Sequence, residues 1–170
     1  MKLKVKEIAA FAMLGALIFA LKKVMEFAPN IHLVGVFIIA ITVVYRKKAL
    51  YPIYIYVLLD GLFGGFSTWW VPYLYIWTLL WGTVMLLPKN IKPKLQPVIY
   101  MTICALHGFL YGVLYAPAQA LFFNLDFNGT MAWIIAGLPY DLIHGVSNFL
   151  CGILIVPIIN ILKRVSKIQF

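Results

Sequence analysis

Polar side chains inside apolar runs are where chemistry is to be sought here, because each is costly in that setting. An Asp at the centre of a helix in lipid costs about 2.5–3.5 kcal/mol. Asp141, His144 and Asn148 stand at offsets 0, 3 and 7, which places them on one helical face. Gly145 and Gly152 lie close to that face and leave room for a ligand or a second helix. The set reads as a ligand-binding wall; a polar seam joining helices is the alternative. Asp141 with His144 would also serve as the acid–base pair of a small intramembrane enzyme. His107, Tyr111 and Tyr115 form a second stripe spaced by four, with Gln119 just beyond. A lone His is more often a packing group, but a His followed by two Tyr on one stripe suits a ligand equally well. Trp70, Tyr73, Trp77 and Trp81 form a third stripe at offsets 0, 3, 7 and 11. An interfacial belt explains Trp69 and Trp70. Trp77 and Trp81 lie deeper, as a stacking surface for a flat ring or as helix packing.

A fourth group follows the first apolar run: Lys22, Lys23 and Glu26, then Asn30 and His32 in a loop containing Pro29. One of these lysines is expected to pair with Asp60, and the other to reach an anionic ligand group. A Lys22–Glu26 rim pair is the simpler alternative.

Other chemistries are missing their residues. There is no Gly-rich phosphate loop, no His-Glu-x-x-His, no Gly-x-Ser-x-Gly and no paired cysteine ligands. No two of the three histidines show metal-ligand spacing, so neither a metal nor a cofactor is expected.

The elements that must position these groups follow from composition. Of 170 residues, 64% are hydrophobic and 11% charged, against about 25% charged in a soluble domain. So few charges cannot cover a water-facing surface, and the chain reads as an integral membrane protein. Six apolar segments are expected to span: 8–25, 33–45, 50–63, 71–87, 97–115 and 139–162. They would form one all-α membrane domain over 1–170. Pro52, Pro72, Pro97 and Pro139 are placed at or near helix starts, where a missing N–H costs nothing. Residues 116–138 read as a long outer loop with a short interfacial helix.

The net charge of +9 does not indicate nucleic acid, because twelve of the fourteen Lys and Arg fall in four short clusters between apolar runs. These are Lys2, Lys4 and Lys6; Arg46, Lys47 and Lys48; Lys89, Lys92 and Lys94; and Lys163, Arg164 and Lys167. With six spans, all four face one side together with both termini, and the positive-inside rule makes that side the cytoplasm. Glu26, Asp60, Asp126 and Asp141 fall on the opposite side, as a polar site opening outward would require. Cys104 and Cys151 lie inside apolar segments and read as free thiols. The start resembles a signal peptide, but Lys22 and Lys23 replace the cleavage site, so a mature helix is expected.

The first span also carries Ala12, Ala16 and Ala20, a small-xxx-small ladder that lets another helix approach closely. Internal packing and docking of a separate subunit both fit it. With the basic start, the length and the six-span topology, this ladder resembles the substrate-binding S components of energy-coupling factor (ECF) transporters. The segments KKVMEFAPNIHLVG, YRKKALYPIY and WWVPYLYIWTLLWG are similar to stretches of such proteins.

The resemblance implies a multi-pass protein of a bacterial plasma membrane that captures a vitamin or precursor in an outward-facing pocket. It implies that the alanine ladder contacts a transmembrane coupling subunit, which works with two cytoplasmic ATPases. The S component is then thought to topple in the bilayer, with ATP hydrolysis resetting the complex. The chain itself would not be an enzyme. Asn30, His32, Trp77, Trp81, His107, Tyr111, Asp141, His144 and Asn148 fall on the elements that build the family's pocket. Stacked Trp and Tyr with His and Asp suggest a neutral or weakly cationic aromatic heterocycle. A pyrimidine or pyridine precursor and a benzimidazole nucleoside are the candidates.

Overall fold

The computed structural model describes residues 3–169, with side chains described for residues 3–166. Lys2 lies outside the described residues, as does the side chain of Lys167. Within them the protein is all-helical: α1 (Val5–Val24), α2 (Val34–Tyr45), α3 (Leu50–Gly64), α4 (Tyr73–Leu86), α5 (Gln96–Phe109), α6 (Tyr111–Phe123), α7 (Phe127–Cys151) and α8 (Ile155–Gln169). Short 3₁₀ turns, Arg46–Ala49 and Gly152–Leu154, join α2 to α3 and α7 to α8. Two stretches, Gln96–Phe123 and Phe127–Ser166, are long and apolar enough to cross a membrane.

At the centre lies α2. It is apolar around its whole circumference and buries eight of its twelve residues, including Val36, Ile38, Ile39 and Ile41, as a helix enclosed on all sides should. It packs against α4 and α8, while α1 lies on α3 and α5 on α7. α1 buries Phe11, Gly15 and Ile18. Gly15 is required by close approach, since a Cβ there would sit 2.9 Å from the Pro52 carbonyl oxygen.

The chain alternates between two ends of the bundle. At one end Lys48 pairs with Glu7, and Arg46 donates to the Met85 carbonyl at the close of α4 (2.9 Å). At the other end, Lys22 at the close of α1 meets Asp60 near the close of α3.

The surface of α7 is inverted relative to a helix of a water-soluble protein. Its buried residues are Asp141, His144, Gly145, Ser147 and Asn148, while Leu142, Ile143, Val146, Phe149 and Leu150 are all exposed. In water that arrangement would forfeit the hydrophobic effect on one face and bury polarity on the other.

The chain between 116 and 138 differs from the expected outer loop. α6 continues through Pro117 to Phe123, and α7 begins at Phe127. The connection is only three residues because its punctuation is local. Asn124 takes a left-handed conformation (φ 49°) and ends α6, and the Asp126 carboxylate accepts from Gly129 N–H (2.7 Å) and starts α7. Pro139 accordingly lies inside α7 and not at a start. The stretch expected as a fifth span is divided at Leu110 into α5 and α6. Cys104 and Cys151 are free thiols.

Candidate functional site

A cavity of about 210 Å³ opens at the end of the bundle carrying the α1–α2 connection. Its walls come from Lys22 on α1, Asn30 and His32 in the connection, Tyr73 on α4, Tyr111 on α6 and His144 on α7. The connection is shaped by Asn30, whose φ of 62° is left-handed, a conformation Asn tolerates better than most residues. It is fastened to α7 by Ser147, whose hydroxyl donates to the Asn30 carbonyl (2.9 Å).

Behind the walls stands Trp77, 1% exposed. His107 stacks on its ring (5.5 Å, 30°), and Tyr56 and Tyr73 meet it edge-on. His32 also meets it edge-on and lies 4.7 Å from His144, centroid to centroid. Tyr111 lies 4.8 Å from His144 on the other side. The three histidines, on a loop, α5 and α7, thus converge on one aromatic cluster.

Several buried polar atoms of this cluster have no partner within the protein. They are His32 Nδ1, His107 Nδ1, His144 Nε2, Trp77 Nε1 and the Tyr56 hydroxyl. Each such atom costs about 1–3 kcal/mol if left unmade, so their concentration around one cavity marks a place built to receive a polar partner. Burial, and then the nearby Lys22 charge, hold the His32 imidazole neutral by lowering its pKa to about 4.

Fixed charge near the cavity is internally paired. Lys22 Nζ lies 2.5 Å from Asp60 Oδ2, with the Asp60 side chain 1% exposed, and sits over the rings of Tyr73 and Trp69 (5.2 and 5.7 Å). Lys23 pairs with Glu26 at 2.7 Å. The expected pairing of Asp60 with one of the two lysines is present and uses Lys22, while Glu26 takes Lys23 in place of Lys22.

Six of the nine expected binding residues are brought together. Asn30, His32, Tyr111 and His144 line the cavity, and Trp77 and His107 stack behind it. Three are placed elsewhere. Both carboxylate oxygens of Asp141 accept from Gly112 N–H (3.0 and 3.1 Å), which anchors the start of α6 to α7, where the helix dipole favours an anion. Asp141 is therefore a structural link rather than part of the wall, and it is engaged away from His144. Asn148 donates to the Cys104 carbonyl (3.2 Å) and joins α7 to α5. Trp81 donates from Nε1 to the Arg46 carbonyl (3.1 Å) at the opposite end of the bundle. In its place the cavity uses Tyr73, with Tyr56 behind. Tyr56 carried a readable signal, since it precedes Asp60 by one helical turn on α3.

The alanine ladder faces outward. Ala12, Ala16 and Ala20 are all exposed, whereas Gly15 on the adjoining packed face makes the internal contact with α3. Ala16 and Ala20 line an apolar groove of about 500 Å³ together with Met13 and Leu17 of α1, Tyr45, and Leu162 and Val165 of α8.

Among the described residues, no three His, Cys, Asp or Glu side chains are grouped so as to hold a metal ion. Compared with models of known protein families, with curated proteins and with solved structures, the chain matches none.

Proposed function

We propose that this protein is the substrate-capture subunit of an ECF-type importer. It would bind a small aromatic vitamin or precursor from outside the cell and deliver it inward with an ATP-driven partner module. The observation that carries the reading is the cavity: a pocket at one end of an apolar bundle, walled by Tyr and His, with several unpaired buried nitrogens among the residues in and behind its wall. Concave sites of this kind, mostly apolar with a few converging polar groups, are where small ligands bind.

In this reading α1, α2, α3, α4, the α5–α6 stretch and the α7–α8 stretch each cross a bacterial plasma membrane once. The basic end lies in the cytoplasm and the cavity faces out. The 12-residue α2 is only about 18 Å long, which its burial among longer neighbours permits. The outward alanine ladder and its groove would receive the transmembrane coupling subunit, with small residues allowing close helix approach. The energy would come from two ATPase subunits bound to that partner, since this chain carries no nucleotide-binding motif.

A thermal-shift screen of the purified protein against B-group vitamins and their precursors tests the reading. A ligand is expected to raise the melting temperature without ATP, and His144→Ala is expected to abolish the shift. A screen in which no compound stabilises the protein, with nothing small travelling with it in native mass spectrometry, would leave a helix-packing role only.

A further inference from the structure

We infer that the cavity takes an uncharged, single-ring nitrogen heterocycle and excludes both its anionic counterparts and ligands of nucleoside size. This rests on the capture reading and narrows its ligand class.

The first argument is charge. Lys22 is the cation on the cavity wall, and its charge is already matched by the buried Asp60 at 2.5 Å. An anionic ligand could recruit Lys22 only by drawing it from Asp60, and stripping one partner from a buried pair costs about 3–5 kcal/mol. Lys23 does not line the cavity; it meets Glu26 in an exposed pair at the rim. The remaining described Lys and Arg residues belong to the basic clusters at the other end of the bundle. A cationic ligand finds no unmatched buried carboxylate, because Lys22 already matches Asp60 and Asp141 is bound to Gly112 N–H, while Glu26 stands at the exposed rim where a charge pair is worth little.

The second argument is the type of polar atom that remains. His32 Nδ1 and His144 Nε2 are unpaired at the cavity wall. A neutral imidazole nitrogen donates or accepts according to tautomer. Such atoms match the ring nitrogens and amino or hydroxyl groups of a neutral heterocycle, not a phosphate. Aromatic walls supply faces and edges for a flat ring.

The third argument is size. About 210 Å³ falls below the usual range of about 300–1,000 Å³ for drug-sized ligands. One substituted ring fits that space, whereas a ring with an attached ribose does not.

The test uses the full chain in lipid nanodiscs and two probe pairs, nicotinamide with nicotinate and cytosine with cytidine, by isothermal titration. Native mass spectrometry of protein from rich medium runs alongside. In every pair that binds, the neutral single-ring member is expected to bind at least about tenfold more tightly than its partner, and any co-purifying molecule to be a neutral single ring. Asp60→Asn should release Lys22 and raise nicotinate affinity about tenfold, since an anion then meets a free cation. Should that variant fail to fold, the probe preference of the parent protein decides alone. A co-purifying anion or nucleoside, or nicotinate binding as well as nicotinamide, or cytidine as well as cytosine, would overturn the inference and leave the capture reading standing. No bound probe and no co-purifying molecule would overturn both.

Discussion

Lys22 and Asp60 are 38 residues apart in sequence and 2.5 Å apart in space, and their pairing ties the close of α1 to α3 beside the cavity. The carboxylate is buried, so removing one partner leaves the other charge or dipole stranded. Asp60→Asn is expected to lower stability by about 3–5 kcal/mol, and the double variant Lys22→Met/Asp60→Leu to recover most of that loss. Thermal unfolding of both in detergent checks it; equal losses would place the stabilisation in packing alone.

Asp141 and His144 sit one helical turn apart on α7 yet have separable roles. Asp141→Asn keeps one acceptor oxygen but sets an amide donor against Gly112 N–H, and is expected to cost about 1–3 kcal/mol of stability. Ligand affinity of the folded protein should stay within about threefold, since Asp141 is turned to α6. His144→Ala should do the reverse, weakening binding by about tenfold or more with a smaller loss of stability. Melting curves and titrations on the same two variants distinguish the roles.

Ala16 is exposed in the groove beside α8. Ala16→Trp is expected to fill the groove, change stability by about 0.5 kcal/mol or less and leave ligand binding intact, while preventing co-purification with a coupling subunit. Gly15→Leu, one residue away on the packed face, should instead unseat α1 from α3 and lower the melting temperature sharply. A pull-down with the coupling subunit, paired with melting curves, reads both.

The His32 imidazole, one of three buried histidines in the cluster, contributes to the pH dependence of stability. Its pKa in the fold is about 4 against an ordinary 6.5, through burial and then the charges of Lys22 and His107, and His144 also faces it. Between those two values the unfolded chain takes up a proton that the folded chain refuses. Stability is therefore full above about pH 6.5 and declines as pH falls toward 4. Melting temperature measured from pH 8 to pH 4 should show this decline, and His32→Gln should make it shallower, with the buried His107 and His144 still contributing.

The helical periodicity of the sequence located faces reliably and neighbours less so. Asp141, His144 and Asn148 do share one buried face of α7. That face, however, touches three different things along its length: α6 at Asp141, the cavity at His144 and α5 at Asn148. Spacing reports the direction of a side chain but not the element opposite it. Trp81 failed for a related reason: four residues beyond Trp77, it lies about 6 Å farther along the axis, toward Arg46 and away from the histidines.

Pro52, Pro72 and Pro97 do lie at or near helix starts, and only Pro139 misled. Pro139 lies inside α7, as Pro117 does inside α6, because the left-handed Asn124 and the capping Asp126 do the punctuating. The loop residues Asn30 and His32 and a lysine partner for Asp60 were legible, though not which lysine, since polar groups next to apolar runs have few partners available. The outward direction of the alanine ladder was not, as a stripe of small residues looks the same from either side.

The inverted surface of α7 also bears on how this sequence can vary. On the side carrying Leu142, Ile143, Val146 and Phe149, exchanging one greasy residue for another disturbs no specific partner. The tightly constrained positions are the hydrophilic ones within, Ser147 and Asn148 among them, each bonded to a particular carbonyl. Random substitution should therefore be tolerated along the oily flank and punished at the interior hydroxyl and amide, the reverse of the pattern for a helix of a water-soluble enzyme.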